Sequence, residues 1–213
     1  MSKEVLPGSC RGVCVKRLTN CIGAWHKSRY TGFTLIELVV VFGLILVLSG
    51  LVLSTVGYVR KKGARARAET EIAAMAAALE SYKSDNAAYP SNSDTNTLNA
   101  QSDLDPSAYS AASLLLYEQL SGDLAHNRSP TGKSYMAFKP NMLSPPGGSG
   151  MVTAISDPFG NSYGYSTINN PQANPTPTPG YNPTFDLWST AGVAPSPTPA
   201  PPATQQDLWI KNW

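Results

Sequence analysis

Lys27-Ser28-Arg29-Tyr30-Thr31-Gly32-Phe33-Thr34-Leu35-Ile36-Glu37 runs straight into Leu38–Val59, a block without a charged residue. A membrane span needs roughly 20 apolar residues, so the block is long enough to be one. Glu37 interrupts the apolar run near its start. A carboxylate in hydrocarbon is expensive and marks function by default. An ordinary secretory signal has a shorter apolar region with its small-residue cleavage site behind it; here the small residue, Gly32, stands in front. An uncleaved signal anchor would have no use for Glu37.

Charge orients the segment. Residues 1–32 carry Lys3, Arg11, Lys16, Arg17, Lys27 and Arg29 against Glu4 alone. Positive flanks stay cytoplasmic, so the chain beyond the span is expected on the far side. The leader is +5 and the remainder −3, so the whole-chain formal net charge of +2 comes from the leader's basic surplus. No strongly basic domain is left to bind nucleic acid. All three cysteines, Cys10, Cys14 and Cys21, also lie in the leader, and their C-x3-C-x6-C spacing is a weak zinc signal.

From Phe33 to about Asn86 no proline forces a break, and a single long helix is expected. Its first half is apolar all round. Its second half opens with Arg60, Lys61, Lys62, Arg65 and Arg67, then becomes alanine-rich, with Ile72, Met75, Leu79 and Tyr82 forming one stripe. The stripe predicts the seam on which a head packs; the basic cluster predicts a solvated collar or a contact between subunits. Gly43, Gly50 and Gly57 share a face, because seven residues advance a helix by nearly two turns, and allow bending or close packing.

Asn86 and Pro90 close the helix. Residues 91–107 read as a polar loop. Tyr109–Leu120 reads as a short helix with Leu115, Leu116 and Leu120 buried and Gly122 near its end. Strands are predicted at Ser134–Phe138, Tyr163–Thr167 (Tyr163 and Tyr165 on one face), Pro183–Ser189 and Asp207–Ile210. Pro171–Pro183 and Ala194–Pro202 read as extended surface linkers. His126-Asn127-Arg128 reads as a solvated polar loop.

The Gly32-Phe33-Thr34-Leu35-Ile36-Glu37 string before the apolar block resembles the class III signal of the type IV pilin-like family. Within it, four features resemble the G-type major pseudopilins of type II secretion. They are Tyr82-Lys83-Ser84-Asp85-Asn86 with Tyr89-Pro90, Asp157-Pro158-Phe159-Gly160-Asn161 with Tyr163 and Tyr165, Phe185-Asp186-Leu187-Trp188-Ser189, and Asp207-Leu208 with Asn212-Trp213. The resemblance covers most of the chain after the leader and is weakest over 91–155. It implies an α+β pilin-like fold: a long N-terminal helix, membrane-embedded in its first half, packed on a small loop-rich head with a short antiparallel sheet. The implied divisions are a removed leader (1–32), the membrane half of the helix (33–59), its amphipathic half (60–89) and a periplasmic head (90–213).

The resemblance further implies cleavage by a prepilin peptidase between Gly32 and Phe33, N-methylation of Phe33, and a role for Glu37 in filament assembly. In the family, a loop between the last strands holds calcium. Here Thr190–Gln206 contains no acid, so a tight calcium site is expected to be lost or weakened, with Asp186 and Asp207 the remaining candidates. No other cofactor is implied.

No catalytic constellation stands out, and the chain reads as a structural protein. The function implied is the major subunit of a type II secretion pseudopilus, anchored in the bacterial inner membrane by a single span. Its partners would be further copies, minor pseudopilins, the inner-membrane secretion platform and membrane lipid. A type IV pilus or competence pilin, and a membrane-anchored binding module, are the alternatives.

Overall fold

The computed structural model describes residues 32–103, 105–193 and 206–213. The leader with its three cysteines, and the second proline-rich stretch at 194–202, lie outside them. The order of elements is α1 (Leu35–Asn86), α2 (Ser93–Thr97), α3 (Ser110–Ser121), then five short strands. These are β1 (Leu143–Ser144), β2 (Ala154–Ile155), β3 (Gly164–Ser166), β4 (Asp186–Ser189) and β5 (Ile210–Lys211). The fold is α+β, as expected. The chain divides into two compact units at Leu48 and Ser49.

The first unit holds the start of α1. Apolar residues dominate it, and Leu38, Val39, Val40, Val41 and Phe42 are all exposed. An 18-residue window of α1 has a mean hydropathy of 2.8 with none of it buried, so α1 is long and apolar enough to cross a membrane.

The second unit begins with the remaining turns of the apolar segment. Ser54 and Thr55 return their hydroxyls to the carbonyls of Leu51 and Val52 at 2.8 and 3.0 Å. Each hydroxyl is thereby satisfied within the helix itself. Further along, Ile72, Met75 and Leu79 are buried as the stripe requires, with Ala68 and Ala78 beside them. They share one core with Leu116 and Leu120 of α3 and with Tyr163, Tyr165, Leu187 and Ile210 of the sheet. Tyr82 is partly buried against the same core. Each large side chain so buried contributes about 1.5–3 kcal/mol. Leu115, expected inside, is only half-buried. Gly122 closes α3 in a left-handed conformation (φ 75°), donating its N–H to the Glu118 carbonyl at 3.0 Å.

β3, β4 and β5 form one antiparallel sheet in that order, with Tyr165 opposite Leu187 and Trp188 opposite Lys211. Both faces are covered. Tyr163, Tyr165 and Leu187 face the main core, whereas Trp188 joins a second cluster with Tyr109, Ala112 and Trp209. Trp188 stacks on Trp209 at 6.1 Å and meets Tyr109 edge-on at 5.2 Å. Gly164 faces this indole in register. A Cβ there would lie 2.1 Å from the Trp188 ring, so no side chain fits between the two tyrosines.

Several expectations are corrected. Residues 91–107 are not one loop. Asn92 and Thr95 form a reciprocal capping box, with N–H to side-chain oxygen distances of 3.0 Å both ways, and this starts α2. A 3₁₀ turn at Pro106–Tyr109, capped by Asp105, leads into α3. Ser134–Phe138 forms no strand: Tyr135 and Met136 both donate N–H groups to the Leu120 carbonyl, satisfying the end of α3. The nearby pairing is instead β1 with β2. Pro171–Pro183 runs largely over the surface and is anchored at Asn174, whose side chain reaches the Ile168 carbonyl at 2.9 Å, and at Thr178, whose N–H donates to the same carbonyl at 3.2 Å. The last strand begins at Ile210, after a turn over Gln206–Trp209.

The 126–128 loop is no solvated spacer. Asp123, fully buried, accepts the N–H groups of Asn127 and Arg128 and the hydroxyl of Tyr117. Arg128 spreads its guanidinium over the carbonyls of Pro145, Gly147 and Gly150 at 2.6–3.1 Å. His126 meets Glu118 at 2.5 Å.

Candidate functional site

The residues singled out at the start of the chain gather at the N-terminus of α1. Gly32, Phe33 and Thr34 precede the helix in non-helical backbone, and Gly32 and Phe33 are exposed. The Gly32–Phe33 bond is therefore not part of any helical ladder. Thr34 is the N-cap. Its N–H and its hydroxyl both donate to Glu37 Oε2, at 2.9 and 2.8 Å, and Glu37 N–H donates back to Thr34 Oγ1 at 3.3 Å. This is a capping box: residues three apart exchange side-chain and backbone bonds and satisfy donors that the first helical turn leaves open.

The acid that looks anomalous in an apolar run thus has a local use. A carboxylate at a helix N-terminus is also favoured by the helix dipole. Glu37 is not unpaired: its Oε2 carries two hydrogen bonds from Thr34, and among the described residues its Oε1 accepts none. Thr34 is the capping partner that the sequence alone leaves unassigned. The Thr-x-x-Glu spacing was the signal that could have identified it.

The second part of the basic cluster is divided by the fold. Arg65 donates to the carbonyls of Leu208 and Trp209 at 2.8 and 3.3 Å. Arg67 pairs with Glu71 at 2.7 Å. Glu71 is buried in mid-helix and its other oxygen accepts the Tyr163 hydroxyl at 2.7 Å. Burial pushes the Tyr163 hydroxyl well above its ordinary pKa, and the Glu71 carboxylate adds to the shift. These contacts fasten the basic half of α1 to the sheet. Arg60, Lys61 and Lys62 remain exposed.

The two calcium candidates are not equivalent. Asp186 is buried on β4, and its oxygens accept the N–H groups of Tyr181 and Asn182 at 3.0 and 2.8 Å. Burial raises its pKa above the ordinary carboxylate value, partly offset by those two bonds. It caps the 180–182 turn. Asp207 is exposed in the turn before β5. Among the described residues, no group of three or more His, Cys, Asp or Glu side chains could hold a metal ion.

Residues 27–53 match the family model described as a prokaryotic N-terminal methylation motif. Comparison with curated proteins gives no match. Comparison with solved structures gives none either. The matched stretch contains the whole Thr34–Glu37 cap and the beginning of the apolar helix. The motif thus lies on a helix long and apolar enough to cross a membrane.

Proposed function

We propose that this chain is the major subunit of a type II secretion pseudopilus. The observation that carries the reading is the convergence of three separated motifs on one sheet. The segment after Asp157-Pro158-Phe159-Gly160-Asn161 supplies β3, Phe185-Asp186-Leu187-Trp188-Ser189 supplies β4, and β5 runs between Asp207-Leu208 and the terminal Asn212-Trp213, with Asn212 bonded to Leu187 of β4. Three of the four features that resemble the G-type pseudopilins therefore meet at this sheet, and the methylation motif precedes them in the chain.

In this reading a prepilin peptidase cuts after Gly32, and Phe33 becomes the methylated N-terminus. Residues 33–59 anchor the subunit in the inner membrane, with the head in the periplasm. Glu37 sets the axial register as subunits enter the filament, its outer oxygen meeting the new Phe33 amine of a neighbour. Minor pseudopilins and the inner-membrane platform are the assembly partners, and export of folded proteins is the outcome.

Disrupting the gene tests this. The expected result is periplasmic retention of exported proteins, seen in the secreted proteome, with surface piliation, twitching and DNA uptake unchanged. Rescue should require Glu37. Loss of pili or of DNA uptake, with secretion intact, would instead assign the chain to a pilus or competence system.

A further inference from the structure

A groove of about 540 Å³ opens where the apolar part of α1 gives way to its basic part. Its lining combines the apolar Tyr58, Phe159, Val193 and Leu208 with the cations Lys61 and Lys62. Tyr58 and Leu208 are 72% and 54% exposed, so large apolar surface faces outward. No acid lines the groove. Among the described residues neither lysine has an ion-pair partner. Arg65, the third cation of the groove, is held by the Leu208 and Trp209 carbonyls and ties that wall to the helix.

The opposite wall is equally fixed. Phe159 sits in a turn organised by the buried Asp157, whose carboxylate accepts the N–H groups of Phe159 and Asn161 at 2.9 and 2.8 Å and the Ser189 hydroxyl at 2.5 Å.

Position along the helix sets the environment. The uncharged block ends at Val59, and at 1.5 Å per residue Lys61 and Lys62 lie roughly 3–5 Å further along the axis. The headgroup layer on each side of a bilayer is roughly 5–7 Å thick. Two ammonium groups without an ion-pair partner among the described residues, lining the same groove as Tyr58 and Leu208, match an anionic phosphate beside an acyl chain. Lysine stems also bury along apolar surface while their heads stay polar.

We propose that this groove seats one anionic phospholipid, its phosphate on Lys61 and Lys62 and its upper acyl chain against Tyr58 and Leu208. The proposal rests on the reading that Leu38–Val59 spans the membrane. The test uses the full chain in phosphatidylcholine vesicles containing phosphatidylglycerol. Spin-labelled forms of each lipid report which one is motionally restricted by the protein.

Restricted phosphatidylglycerol should exceed restricted phosphatidylcholine by about fivefold per engaged lysine. Lys61→Gln or Lys62→Gln should each remove about that factor, and Leu208→Ser should weaken the preference. Arg60→Gln, which removes the same charge outside the groove, should leave it unchanged. An equal loss with Arg60→Gln would mean diffuse surface attraction and overturn the site. Abolition by soluble glycerol phosphate at constant ionic strength would also overturn it, because a free anion would then be the occupant. Absence of preference, with groove positions cross-linking between chains, would give the groove to a second copy. Failure of the chain to float with vesicles overturns the membrane span and this site together; flotation without lipid preference overturns the site alone.

Discussion

Thr34 gives Glu37 Oε2 two hydrogen bonds, from its N–H at 2.9 Å and its hydroxyl at 2.8 Å, and receives one from Glu37 N–H at 3.3 Å. One carboxylate oxygen is therefore satisfied locally, and among the described residues the other accepts no bond. A charge that had to wait unpaired for its partner would be far more costly to hold in the membrane.

The two residues should consequently separate by phenotype. Glu37→Val removes both the cap and the outward acceptor, and is expected to insert and be cleaved normally but not to assemble. Thr34→Val keeps the carboxylate and loses only the hydroxyl. It should assemble poorly rather than not at all, because the Thr34 N–H still holds Glu37. Mass spectrometry of the mature N-terminus and filament yield measure the two steps. Equal loss of assembly in both variants would remove the distinction between cap and outward acceptor.

Glu71 and Tyr163 should behave as one unit. Tyr163→Phe leaves a buried carboxylate with one donor fewer, a loss of about 1–3 kcal/mol. For a chain of this size each kcal/mol lowers the melting temperature by about 2–4 °C. Glu71→Gln combined with Tyr163→Phe should cost less than the sum of the single changes, since contacting residues couple by about 0.5–3 kcal/mol. Additive melting shifts would show that the pair does not fasten α1 to the sheet.

Local chemistry decides which features are legible in the sequence. The α1 stripe of Ile72, Met75 and Leu79 was legible because helical periodicity selects one face. The Tyr163/Tyr165 alternation was legible for the same reason in a strand. The opposite face of that strand was not: Gly164 carries no side chain, and the Trp188 indole that forbids one lies on another strand. The capping box at Asn92 was overlooked because a short polar helix has no apolar period. The Arg128 clamp joins carbonyls of residues 145–150, a pairing that only the fold creates. At the candidate site, Glu37 stood out as a charge in an apolar run, while Thr34 did not, being an ordinary residue there.

Calcium should matter little to the head. Asp186 already accepts N–H groups from Tyr181 and Asn182 and sits in a turn it closes. A bound ion at a hundredfold excess over its Kd would add about 2.7 kcal/mol. Melting in chelator and in millimolar calcium is therefore expected to differ by no more than about 1 °C, where binding would shift it several degrees. Asp186→Ala should destabilise equally in both conditions. A calcium-dependent rise that this substitution abolishes would restore the metal site.

Two buried aspartates should show opposite acid responses. Burial alone would raise the Asp123 carboxyl, but bonds from Tyr117 and from the backbone of Arg128 and Asn127 outweigh it and hold it below the ordinary range. Its contribution is present above the unfolded value of about 3.9 and is lost as pH falls through the lower folded value. For Asp157 burial prevails over the Ser189 and backbone bonds, and its carboxyl is raised. Its charged form is the disfavoured one, so its contribution is fully present below the unfolded value and is lost as pH rises through the higher folded value. Asp123→Asn should therefore cost about 1.5–3 kcal/mol at neutral pH, as charged hydrogen bonds are lost, and the deficit should shrink on acidification. With Asp157→Asn the change runs the other way: wild type should gain on the variant as pH is lowered from neutrality. Thermal melts of both variants and wild type across the acid range measure this, and parallel curves for the two would refute the assignment of opposite shifts.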